Sequence, residues 1–128
     1  MNPSLAQPIL QHQGAGAVLT KAVLRAADEL GVTNTLLATT LGVSGPSVSR
    51  MRRGGYALAP GSKPFELGVL FVRLFRSLDA LVGGDRAAAR AWLANENTAL
   101  GGIPARMIVT IAGLANVIAY LDARRAPI

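Results

Sequence analysis

A chain of 128 residues supports one compact domain or two very small ones sharing a core. With 51% hydrophobic and only 16% charged residues, and a mean hydropathy of +0.38, part of its apolar surface is expected to meet another protein. The formal charge of +6, from eleven arginines and two lysines against seven carboxylates, favours an anionic partner, and the lack of cysteine excludes disulfides, thiolate metal sites and cysteine catalysis.

Residues 1–15, with Pro3, Pro8 and several glutamines, read as a flexible arm and carry no signal-peptide pattern. From Gly16 to Leu30 the apolar residues Leu19, Ala22, Val23, Ala26 and Leu30 fall on one helix face. Gly31 stops that helix. Thr33 can cap the next one, in which Leu36, Leu37, Ala38 and Leu41 repeat the pattern. Gly42 can then take the left-handed conformation that ends it, Val43 plugs the gap, and Ser44 can cap a third helix with Pro46 in its first turn. Within that third helix Val48 and Met51 are expected to face the core, with Ser47, Arg50 and Arg53 on the opposite side. The order is that of a helix-turn-helix, which lays a short helix in a DNA major groove. Base reading would lean on Arg50, Ser47 and DNA shape, while Arg52 and Arg53 look like phosphate contacts. The candidate DNA-binding set is Ser44, Ser47, Ser49, Arg50, Arg52 and Arg53.

Residues 54–64 are rich in glycine and proline, and a domain boundary is expected there, closing a first unit at 16–60. Ser62 or Lys63 leads into a helix beginning near Pro64. Its stripe of Leu67, Leu70, Phe71, Leu74, Leu78 and Leu81 is widened by Phe65, Val69, Val72 and Phe75. Such a helix is buried on more than one side, between other helices or in an oligomer interface. Gly83-Gly84 ends it, and Asp85 caps a short helix to about Ala94, with Arg86 and Arg90 on one face and Ala89, Trp92 and Leu93 inward. By its own chemistry the polar loop that follows is a connector whose glycines turn the chain and whose asparagines bond the backbone. Pro104 opens a last helix to about Leu121 or Ala123, with Met107, Ile111, Leu114, Ile118 and Leu121 on one face and Gly113 allowing a close backbone approach. Residues 124–128, containing Pro127, read as a short projecting tail. With no strand-like alternation, the fold class is all-α.

Catalysis finds little support in these residues. The one histidine, His12, lies in the arm, and the seven carboxylates sit mostly at helix ends or beside arginines. Gly14 and Gly16 supply two glycines of a dinucleotide fingerprint without the third, and a P-loop, a nucleophile elbow and a metal pattern are missing. No enzyme, cofactor or metal is expected. The apolar run from Met107 to Leu121 is shorter than the ~20 residues that span a membrane, so a cytoplasmic protein without a membrane partner is expected.

The helix-turn-helix, the apolar helix after it, the stretch Ala91-Trp92-Leu93-Ala94-Asn95-Glu96-Asn97-Thr98-Ala99-Leu100-Gly101-Gly102-Ile103-Pro104 and a final helix with Gly113 together resemble the Xre/MbcA/ParS class of antitoxins. The likeness covers nearly all of the chain apart from the arm. It implies an N-terminal helix-turn-helix bundle followed by a small helical toxin-binding and dimerisation domain at 64–123. It also implies a RES-domain toxin as partner, an enzyme folded like ADP-ribosyltransferases that consumes NAD or transfers ADP-ribose. Such an antitoxin covers the toxin and blocks its NAD pocket, in part with its C-terminal end, and represses its own operon by binding operator DNA. A homodimer or a toxin–antitoxin hetero-oligomer is implied as well. On this sequence the implied toxin-binding residues are Trp92, Asn95, Asn97, Leu100, Gly101, Gly102, Pro104, Arg124 and Arg125. One departure is that the third helix lacks the long amide side chains that usually read bases. The alternative is a stand-alone transcriptional regulator whose C-terminal helices only dimerise, with tight, salt-dependent DNA binding and no enzyme partner.

Overall fold

The computed structural model describes the backbone of residues 3–125 and the side chains of 14–124, so His12, the Arg125 side chain and the last three residues of the expected tail lie outside the described residues. Among these, seven helices form and no strand: α1 (Pro3–Leu30), α2 (Asn34–Leu41), α3 (Gly45–Arg52), α4 (Lys63–Leu81), α5 (Arg86–Ala94), α6 (Pro104–Met107) and α7 (Ile111–Arg125). The helical backbone of α1 runs back to Pro3, through the segment expected as an arm. Its inward face carries Val23, Ala26, Ala27 and Leu30, all buried, with Leu19 and Ala22 half-buried at the edge.

The helix-turn-helix forms by local chemistry. Thr33 Oγ1 accepts from the Leu36 N–H at 3.1 Å, one of the donors that a helix start leaves without a partner. Gly42 ends α2 at φ 73°, in the left-handed region where a side chain would be strained. Ser44 then caps α3 by accepting from the Ser47 N–H at 3.2 Å. Leu37 and Leu41 of α2 and Val48 and Met51 of α3 are buried in the common core.

The glycine- and proline-rich segment 54–64 is held against α1. The Thr20 hydroxyl donates to the Gly16 carbonyl at 2.7 Å and accepts from the Leu58 N–H at 2.9 Å, and Leu58 itself is buried. After the Ser62 cap, α4 packs against α1 and α2 and also against α7. The wide apolar stripe is therefore spent inside the chain, with Leu67, Phe71, Leu74 and Leu78 buried and Val69 and Leu81 exposed at its rim.

Helix α5 is capped by Asp85, which accepts from the Ala88 N–H at 3.1 Å. It is tied to the end of α1 by two arginines. Arg86 donates to both carboxylate oxygens of Glu29 at 2.9 and 2.6 Å, and Arg90 donates to the carbonyls of Glu29 and Asp28 at 3.1 and 2.7 Å. The latter carbonyls belong to the last turn of a helix, where intrahelical donors run out.

The single last helix expected from Pro104 is instead two. Residues 108–110 turn the chain, and Thr110 Oγ1 accepts from the Gly113 N–H at 3.0 Å to start α7. A Cβ on Gly113 would collide with the Met107 carbonyl, so the close backbone approach is to the chain's own preceding turn. Ile111, expected on the inward face, is 58% exposed at the first position of α7, whereas Ile108, Leu114, Val117, Ile118 and Leu121 are buried. Asp122 fixes α7 to α4 by accepting from Arg73 at 2.6 Å and from the Ser77 hydroxyl at 2.7 Å. No described helix is long and apolar enough to cross a membrane.

Candidate functional site

Two groups of side chains stand apart from the core, one on α3 and one where α5, the loop 95–103 and α7 meet. The first is the candidate DNA surface. Ser44 is exposed at the start of α3, while Ser47, expected on the outer face, is only 8% exposed. Its hydroxyl lies 2.9 Å from Ser44 Oγ and accepts from Arg50 at 3.2 Å, so the cap draws it in. Ser49 is half-buried. Arg50 is exposed, and its guanidinium lies 5.8 Å from the centre of the Tyr56 ring, within cation–π range. Arg52 is engaged by the fold, donating to Asn34 Oδ1 at 2.7 Å and pairing with Asp28 at 3.1 Å. Arg53, at the end of α3, is exposed, and among the described residues its guanidinium has no partner. The structure thus brings Arg50 and Arg53 to the surface together, draws Ser47 in, and ties the exposed Arg52 to surface partners on α1 and α2. Sequence reasoning missed Asn34, Asp28 and Tyr56, the residues that hold those arginines, because each lies in a different element from its partner.

The second group surrounds Tyr120, which the sequence analysis did not single out. The rings of Trp92 and Tyr120 stack with centres 6.2 Å apart and planes 26° from parallel. Arg124 Nε donates to the Tyr120 hydroxyl at 2.9 Å, and its guanidinium carbon lies 5.2 Å from the centre of the same ring. Asn97 lies near enough to the Tyr120 hydroxyl to lower its pKa. Its Oδ1 accepts from the Leu100 N–H at 3.1 Å, which leaves the amide nitrogen as the group able to donate. The Arg124 hydrogen bond, above all, and the neighbouring Asn97 hold the Tyr120 pKa below the ordinary 10.0, against the opposing effect of partial burial.

The loop 95–103 is a tight internal turn. The Asn97 N–H donates to the Gly102 carbonyl at 2.8 Å, and the Gly101 N–H to the Asn97 carbonyl at 2.9 Å. Asn95 closes α5 by donating to the Ala91 carbonyl at 2.8 Å. Leu100 is half-buried against the core, a Cβ on Gly102 would meet the Met107 side chain, and Pro104 is buried at the start of α6. Of the implied toxin-binding residues, Trp92, Asn97 and Arg124 meet around Tyr120, while Asn95, Leu100, Gly101, Gly102 and Pro104 shape the turn beside them. The Tyr120–Arg124 pair has a local signal, since residues four apart share a helix face. Among the described residues no group of three or more His, Asp or Glu side chains could hold a metal ion.

A helix-turn-helix joined through one shared helix to a small helical unit defines a DNA-binding protein with an added docking module. Residues 10–73 match the family model of the antitoxin Xre-like helix-turn-helix domain, and residues 77–126 match that of the antitoxin Xre/MbcA/ParS C-terminal toxin-binding domain. The chain belongs to the Xre/MbcA/ParS antitoxins, with a DNA-binding and a toxin-binding domain in one polypeptide. It matches no curated protein. The two matched regions meet inside α4, between residues 73 and 77.

Proposed function

We propose that this antitoxin neutralises a RES-type toxin, an NAD-consuming or ADP-ribosylating enzyme, by binding it through residues 64–123 and laying Arg124 and Arg125 against its NAD site. Residues 16–60 then repress the antitoxin's own promoter as a homodimer, whose two-fold axis matches a two-fold operator with half-sites ~34 Å apart or a multiple of that. Both activities belong to the cytoplasm, where the promoter and the toxin's NAD are found. The observation that carries the inhibitory part is the position of Arg124. It is an exposed guanidinium at the end of α7, in the matched toxin-binding domain, beside residues that the family likeness had already implied. A guanidinium there can pair with carboxylates lining an enzyme cleft.

The test is to purify the full chain from its native cells, identify the enzyme that comes with it, and assay that enzyme's NAD consumption with the chain and with a version lacking residues 124–128. Loss of inhibition, with the melting temperature kept, is the expected result. Full inhibition by the shortened chain would end the tail-blocking mechanism, and a partner that does not act on NAD would end the RES assignment.

A further inference from the structure

An exposed arginine samples many rotamers, and fixing it on binding costs affinity that prior ordering saves. Arg124 is ordered by Tyr120. Its Nε is spent on the Tyr120 hydroxyl, its guanidinium carbon lies 5.2 Å from the centre of the Tyr120 ring, and that ring is itself stacked on Trp92. Among the described residues its two terminal nitrogens have no partner. Asn97 stands beside the arrangement: its carbonyl oxygen is held by the Leu100 N–H, and its amide is left able to donate.

We infer that Tyr120 is a positioning residue, holding Arg124 so that its terminal nitrogens are presented as a ready fork for a carboxylate of the toxin, and that Trp92 and Asn97 act on the toxin through Tyr120. The inference rests on the reading that the end of α7 enters the toxin's cleft. A carboxylate is the fitting ligand because the guanidinium fork matches its two oxygens, whereas a cationic phosphate cradle would repel a fixed arginine.

Tyr120→Phe tests this in the full chain, because it removes the hydroxyl and keeps the ring stack. In the free protein, the 15N order parameter of Arg124 Nε is expected to exceed that of Arg53, and to fall to the Arg53 level in the variant with no change in melting temperature. Against the enzyme that co-purifies with the chain, Arg124→Ala is expected to weaken binding ~tenfold. Tyr120→Phe should weaken it severalfold, and the double variant should be no weaker than Arg124→Ala alone. Additive losses, or an Arg124 as mobile as Arg53 in the unaltered protein, would overturn the inference. Weak binding by Arg124→Ala with normal binding by Tyr120→Phe would overturn it too, leaving the cleft reading in place. Normal binding by Arg124→Ala would bring down the cleft reading, and the carboxylate fork with it.

Discussion

Arg52 and Arg53 are adjacent and chemically identical, yet the fold gives them different work. Arg52 is held by Asn34 and Asp28, contacts from α2 and α1, while Arg53 is exposed without a partner among the described residues. Replacing Arg53 with Ala should weaken binding to the promoter DNA, lower the salt dependence of log K by about one counterion and leave the melting temperature unchanged. Arg52→Ala should instead lower the melting temperature, because it leaves Asp28 and Asn34 without their partner. If thermal melting showed no change for Arg52→Ala while its salt slope fell like that of Arg53→Ala, Arg52 would be a phosphate ligand after all. At this scale the sequence reveals contacts made within one turn. The Ser44 cap on Ser47 is legible because a cap spans three residues. The withdrawal of Ser47 from the surface is not, because helix-face spacing does not report that its hydroxyl bonds the Ser44 hydroxyl and Arg50.

Helix α5 owes its place to the end of α1. The Arg86–Glu29 pair is bidentate, and its hydrogen bond from Arg86, more than any other influence, holds the Glu29 pKa below the ordinary 4.5. A carboxylate with a lowered folded-state pKa stabilises the fold above its ordinary value, and that contribution is lost as pH falls through the folded-state value. Melting temperature measured from pH 7 down to about 3 should therefore fall more steeply for the unaltered chain than for Glu29→Gln, the two curves converging at the acid end. Parallel curves would show that the pair does not report on stability. The last helix shows why elements are legible only in part. Met107 to Leu121 is a mostly apolar run, interrupted only by Thr110, Gly113 and Asn116, and a periodicity count carries straight through it. The break depends on Thr110 bonding the Gly113 N–H and on glycine's missing Cβ beside the Met107 carbonyl. Sequence analysis identified the glycine's role but not the backbone it would meet.

Across the whole molecule α4 is the shared wall. Its Leu67 and Phe71 help bury the helix-turn-helix side, its Ser77 and Arg73 hold α7, and the seam between the two family regions runs through it. Leu74→Ala, at a fully buried position of α4, should cost about 2–5 kcal/mol. Because both sides lean on the same helix, unfolding followed by Trp92 fluorescence and by far-ultraviolet circular dichroism should remain one coincident transition. Two separate transitions would mean that the N-terminal and C-terminal parts are independent bodies.

The sequence by itself determined the all-α class, the caps at Thr33, Ser44 and Asp85, the left-handed stop at Gly42 and the family likeness, because each rests on spacings within a few turns of chain. Only the tertiary structure decided that the segment 54–64 lies against α1, that Arg52 pairs with Asp28 while Arg53 has no partner among the described residues, and that Trp92, Asn97 and Arg124 converge on Tyr120. Those contacts join residues far apart in sequence. Packing around α4 sets their distances, and no local period encodes it.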